Sequence, residues 1–215
     1  MSLAETATLL QGAALTILLS LAGILLGLPL GLAMALIRWT HIPVLSPVLS
    51  AYVSIVRATP LVMFVLLIFF SMSTFGIEIG PIPAAVLALM LNTAAFNCEI
   101  WRGGLIDFSR GQLDAALAFG MRPSIAFLRI VLPQVWRACL PGLVNEMSLL
   151  IKASPAVAVI GLVDLTRAAA RVGAATYEPL PPFLAALFFY VVILLPLIVL
   201  QRIIERYSFK HQWFA

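Results

Sequence analysis

Residues 9–37 carry no charge over 29 consecutive positions, interrupted only by small or uncharged polar residues and Pro29. Roughly 20 apolar helical residues suffice to cross about 30 Å of hydrocarbon, so this run alone restricts the chain to a membrane-spanning fold. Shorter apolar runs follow at residues 58–75, 84–101, 135–151 and 182–200, the first preceded by an amphipathic stretch at 44–56. A mean hydropathy of +1.11 leaves too little polar surface to coat a water-soluble globule. The expectation is an all-α integral membrane protein of about five spans, with no sizeable soluble domain in its 215 residues. The N-terminal residues lack a basic leader region, so the first span is expected to be retained.

Five spans place the termini on opposite faces, and the cations choose the orientation. One side collects Arg38, Arg57, Arg102, Arg110, Arg122, Arg129, Arg137, Arg202, Arg206 and Lys210; the other holds Lys152, Arg167 and Arg171. Lys and Arg are retained on the cytoplasmic side, which predicts the N-terminus outside and the C-terminus in the cytoplasm. The same bias accounts for the formal charge of +4 without a nucleic-acid partner. Residues 155–172 begin apolar and end with Asp164, Arg167 and Arg171. They are expected to dip into the outer face or lie along it, because a sixth span would carry the basic C-terminus outside.

The segment RGQLDAALAFGMRPSIAFLRIVLP, residues 110–133, is the charged, interrupted exception. Its first half has helical periodicity, with Leu113, Ala116 and Leu117 on one face and Arg110 and Asp114 on the other. Gly120 permits the backbone to stop that helix. Pro123 suits the first turn of a second, whose residues Ile125, Leu128 and Leu132 share a face before Pro133 and the fourth span. The pattern predicts two short helices at a glycine bend, outside the bilayer. Such a hairpin either inserts into a soluble partner or rests on the membrane surface.

The spacing Asp114-Ala115-Ala116, Gly120, then Ile130 to Pro133 resembles the EAA-x3-G-x9-I-x-L-P signature of permease subunits in binding-protein-dependent ABC importers, with Asp in place of Glu. RATPL at 57–61 resembles the family's RGTPL, with Ala58 for Gly. LNTAAFNCEIWRGG at 91–104 and LPGLVNEMSLLIKASPAVAVIGLVDLT at 140–166 resemble blocks of the polar amino acid subfamily. The resemblance covers roughly residues 10–205, with the blocks in the family's order. Phe64 departs from a commonly polar Gln position, and Ser154-Pro155 from Thr-Ser. Membership implies one transmembrane domain over residues 1–215 and a cytoplasmic loop over 107–133 that docks into an ATPase subunit. Arg110, Asp114, Ala115, Ala116 and Gly120 then form the coupling site. It further implies a second permease, identical or paralogous, an extracytoplasmic solute-binding protein, surrounding lipid and the bacterial cytoplasmic membrane. ATP and magnesium would belong to the partner ATPase; no G-x4-G-K-[ST] loop occurs in this chain, and no cofactor is expected within it.

Polar residues within the spans are the remaining candidates. Glu146 beside Asn145 is either a pathway residue meeting an ammonium or guanidinium group or one half of a structural pair, since an uncompensated charge at mid-span costs roughly 2.5–3.5 kcal/mol. Glu99 is expected to pair with Arg102 or Arg57. Asn92 and Thr93 stitch helices or, for Asn92, line the pathway; Phe64 supplies an apolar wall or faces lipid. Lys152 is expected to snorkel to the outer interface. Cys98 and Cys139 lie in apolar runs and are expected to pack as free thiols. His41 and His211 are isolated, and no metal-ligand spacing or nucleophile–base constellation is present. The function expected is an ATP-driven importer subunit for a polar amino acid, basic or zwitterionic, with a channel or secondary carrier as the alternative.

Overall fold

The computed structural model describes residues 2–212, with side chains up to residue 206, so the calls on Lys210 and His211 fall outside the described side chains. Among the described residues all regular structure is helical. Helix α1 (Leu3–Trp39) starts from a capping box in which the Glu5 amide donates to Ser2 Oγ at 3.3 Å and the Ser2 amide to Glu5 Oε2 at 2.8 Å. The expected second span is two helices, α2 (Leu45–Ala58) and α3 (Leu61–Thr74), bent by 118°. Pro60 causes the elbow: it excludes helical backbone at the preceding residue, and Thr59 is extended at ψ 131°. The RATPL block is therefore this corner. Helix α4 (Pro81–Asp107) begins with proline in its first turn.

Helices α1 and α4 run parallel in close contact. A Cβ added at Gly27 would meet the Met90 carbonyl oxygen at 2.7 Å, and one at Gly31 would meet Asn97 Cβ at 2.8 Å. Gly23, Gly27 and Gly31 repeat every fourth residue, the small-residue spacing that lets backbones approach within a membrane, where van der Waals packing replaces the hydrophobic drive. Because α1 and α4 point the same way, α2 and α3 together make the single return between them.

The charged loop forms α5 (Arg110–Ala118), a bend at Gly120 with φ +80°, and α6 (Pro123–Ala126). The second short helix does not end before Pro133 as expected. It passes through a π turn (Phe127–Val131) straight into α7 (Leu132–Ala153). Pro133 has no N–H for the carbonyl four residues back and its ring crowds that carbonyl; the wider turn just before it relieves the clash. The π turn also rotates the surface. Ala126 and Val131 are buried, whereas Ile125 and Leu128, expected to share a face with Leu132, are exposed; on α5 only Ala116 is buried and Leu117 also faces out.

Helix α7 runs antiparallel to α4, with Gly104 against Val135 and Cys139, and Gly142 against Ile100. A 3₁₀ segment (Ser154–Ile160) and Gly161 at φ +96° then lead to α8 (Leu165–Thr176). Asp164, fully buried, caps α8 by accepting from the amides of Thr166 at 3.0 Å and Arg167 at 3.1 Å. At 12 residues α8 is too short to span. It lies antiparallel against the first turns of α1, where the Leu165 amide donates to Thr16 Oγ1 at 3.1 Å and Ala168 faces Gly12. Helix α9 (Leu180–Gln212) returns antiparallel to α8, its Tyr190 hydroxyl 3.0 Å from Thr166 Oγ1. First and last helices thus run parallel, and the chain enters and leaves at opposite ends of the bundle. Four helices are long and apolar enough to cross a membrane, and the bent α2–α3 pair supplies a fifth crossing.

Candidate functional site

Glu99 and Glu146 lie within the bundle, and their surroundings differ. Glu99 on α4 accepts from Arg38 at the end of α1, and from Arg102 Nε at 3.0 Å and Nη2 at 2.7 Å. Arg38 also donates to Ser50 Oγ of α2 at 3.2 Å, so one carboxylate ties three helices together at this end. The expected alternative partner, Arg57, is not part of this pair. Its guanidinium sits over the Phe96 ring, 5.5 Å from the centroid, because the Pro60 corner turns the end of α2 across α4. Arg38 went unassigned as a partner because it lies 61 residues from Glu99, whereas Arg102 is one helical turn away.

Glu146 on α7 is 5% exposed, and its Oε2 has no hydrogen-bond partner. The Thr93 hydroxyl of α4 lies beside it, yet Thr93 Oγ1 is also without a partner. Among the described residues no cation pairs with Glu146; the salt bridges both belong to Glu99. Asn145 next to it is exposed on the face of α7 that also carries Lys152. Asn92 is nearly buried on α4, and Phe64 on α3 is packed into the core at 7% exposure. Phe64 therefore does not face lipid. Lys152 lies one residue before the end of α7, with the 3₁₀ segment and α8 still to come.

The coupling candidates stand at the opposite end from the α8–α9 turn. Arg110, Asp114, Ala115 and Gly120 are exposed and Ala116 is turned inward. Phe119, just before the Gly120 bend, is 90% exposed and is the residue sequence reasoning passed over. Its apolar side chain at a position outside the helical stripe was the available signal. Cys98 and Cys139 are buried free thiols, as expected; Cys139 Sγ donates to the Ile100 carbonyl at 3.4 Å. His41 is exposed with Nδ1 2.8 Å from the Trp39 carbonyl oxygen. Among the described residues no group of three His, Cys, Asp or Glu side chains has metal-site geometry.

Known proteins share this arrangement across nearly the whole chain. The arginine transport system permease protein ArtQ of Bacillus subtilis is 35% identical over 199 residues, covering 92% of this chain and 91% of ArtQ. The glutamine transport system permease protein GlnP of Escherichia coli is 32% identical over 200 residues, with the same two coverages. A crystal structure of an amino acid ABC transporter with histidines superposes with a TM-score of 0.85 at 33% identity, covering 94% of each chain. Residues 27–208 match the family described as the binding-protein-dependent transport system inner membrane component. With that match over most of its length and relatives above 30% identity, the chain belongs to this family of inner-membrane permease subunits of amino acid ABC transport systems.

Proposed function

We propose that this chain is the translocation subunit of an ATP-driven importer for a basic or zwitterionic amino acid or amino acid derivative, working by alternating access. The observation that carries the cargo assignment is Glu146: a carboxylate 5% exposed, with one oxygen unpartnered and no protein cation against it. A charge so placed is costly unless a cavity or passenger meets it, and an ammonium or guanidinium group is the complementary passenger. Asn145 and Lys152 share an exposed polar face of α7, adjacent to the buried Glu146. Asn92 and Phe64 complete the proposed pathway as a polar contact and an apolar wall. The relatives named for arginine and glutamine transport agree with such a cargo.

The N-terminus is assigned to the outside and residues 107–133 to the cytoplasm, by the ten-to-three distribution of Lys and Arg. In this reading Asp114, Ala115, Ala116, Gly120 and Arg110 dock on an ATPase subunit, which holds the ATP and magnesium. A second permease, the same chain or a paralogue, closes the pathway, and a solute-binding protein delivers from outside.

The test is a proteoliposome containing the complete complex and its binding protein, assayed for arginine, histidine and glutamine uptake. The proposal expects accumulation that requires ATP inside and the binding protein outside. Uptake that proceeds without ATP would instead identify a channel or secondary carrier.

A further inference from the structure

Helix α5 is sparsely attached to the rest of the molecule. Ala116 is its only buried residue, Leu113 is partly buried, and a bend at Gly120 with φ +80° joins it to α6. Among the described residues it makes one side-chain hydrogen bond to another element: Gln134 Nε2, in the first turn of α7, donates to Gln112 Oε1 at 2.8 Å. The covalent route between the same two residues runs through Gly120, the four-residue α6 and the π turn. A π turn has an extra residue per loop and poorer hydrogen-bond geometry than α-helix, and such turns recur where helices must adjust. Here the Leu132 amide donates to the Phe127 carbonyl. The turn is also clamped from outside. Val131 is fully buried, and the Phe127 ring stacks on Trp39 at the end of α1, with centroids 5.6 Å apart.

We propose that Gln112 and Gln134 are positioning residues for coupling: their amide pair bridges the π turn and makes the docking helix α5 move as one body with α7, pivoting on the Phe127–Trp39 contact. The inference rests on the importer reading above. Without the brace, displacement of α5 by a partner is absorbed at Gly120 and the π turn. With it, the displacement reaches the far part of α7, where Glu146 lies 12 residues beyond Gln134, about 18 Å along the helix axis at 1.5 Å per residue. Gln112 and Gln134 are polar side chains that neither fill the core nor touch the proposed pathway, and their effect is expected through the angle of α5 alone.

The experiment reconstitutes the full complex with its ATPase and binding protein, and measures solute moved per ATP hydrolysed. Gln112→Ala, Gln134→Ala and the double variant are compared with a charge-pair replacement, Gln112→Glu with Gln134→Lys. Each alanine variant is expected to lower the coupling ratio roughly three- to tenfold, the range that one net hydrogen bond carries. ATPase association should stay unchanged, and the double variant should be no worse than either single one, as a shared contact requires. The charge pair should restore at least half of the wild-type ratio. A wild-type coupling ratio in the double alanine variant overturns the brace. So do single effects that multiply, or a loss confined to ATPase association. Failure of the wild-type complex to require ATP would sink the importer reading instead, which keeps the two failures apart.

Discussion

Glu99 and Glu146 are carboxylates of the same bundle, on neighbouring helices, and the protein treats them in opposite ways. Glu99 is surrounded by donors: Arg38 from α1, Arg102 from its own helix, and Ser50 of α2 through Arg38. Its charge is neutralised within the chain, and its work is to lock three helices at one end. Glu146 has a threonine hydroxyl beside it and an oxygen with no partner. A folded chain that pairs one buried carboxylate so fully has the means to pair both. On the proposed reading, Glu146 is left open for a partner from outside the chain.

The largest expected effect breaks the closed site. Glu99→Ala strands Arg38, whose side chain is 11% exposed, and removing one member of a buried ion pair costs about 3–5 kcal/mol. Thermal unfolding of the purified complex should shift down strongly, with poor assembly. The contrasting change, Glu146→Leu, removes an unsatisfied polar atom and is expected to leave stability unchanged or to raise it by about 1–3 kcal/mol. A pair of melting curves with opposite signs would sharpen the comparison; equal losses would erase it.

Gly31→Ala is intermediate. Its new Cβ would press on Asn97 Cβ at 2.8 Å and on the Ala94 carbonyl oxygen at 2.9 Å, and overpacking of this kind costs about 1–3 kcal/mol. The melting temperature should fall while substrate-stimulated ATPase activity survives at permissive temperature. Smallest is Arg57→Ala. A partly solvated cation–π contact is worth about 0.5–1 kcal/mol, so the same melt should barely move. A loss as large as that of Glu99→Ala would return Arg57 to the Glu99 network.

The sequence made the five apolar runs, the Gly120 bend and the two free cysteines legible, because hydropathy and backbone permissiveness are local properties. The Arg38–Glu99 bond was not legible, since a contact across 61 residues needs the α1–α4 register. That register is set by Gly23, Gly27 and Gly31, a spacing visible in the sequence but meaningful only once α4 is known to be the partner. The π turn was hidden for a related reason. Pro133 reads locally as a boundary, whereas the helix accommodates it by widening one turn and continuing. Glu146 was placed in the interior by hydropathy alone; whether it was paired depended on which side chains α4 and α1 brought to it.

Uptake of whichever labelled basic or zwitterionic amino acid the wild-type complex accumulates, by proteoliposomes holding the Glu146→Gln complex, tests the central claim most directly. Gln keeps the shape and removes the charge, so assembly and basal ATPase activity are expected to match wild type while ATP-driven uptake of that amino acid falls at least tenfold, the equivalent of about 1.4 kcal/mol of lost attraction. Wild-type uptake by a fully assembled Glu146→Gln complex would contradict the account.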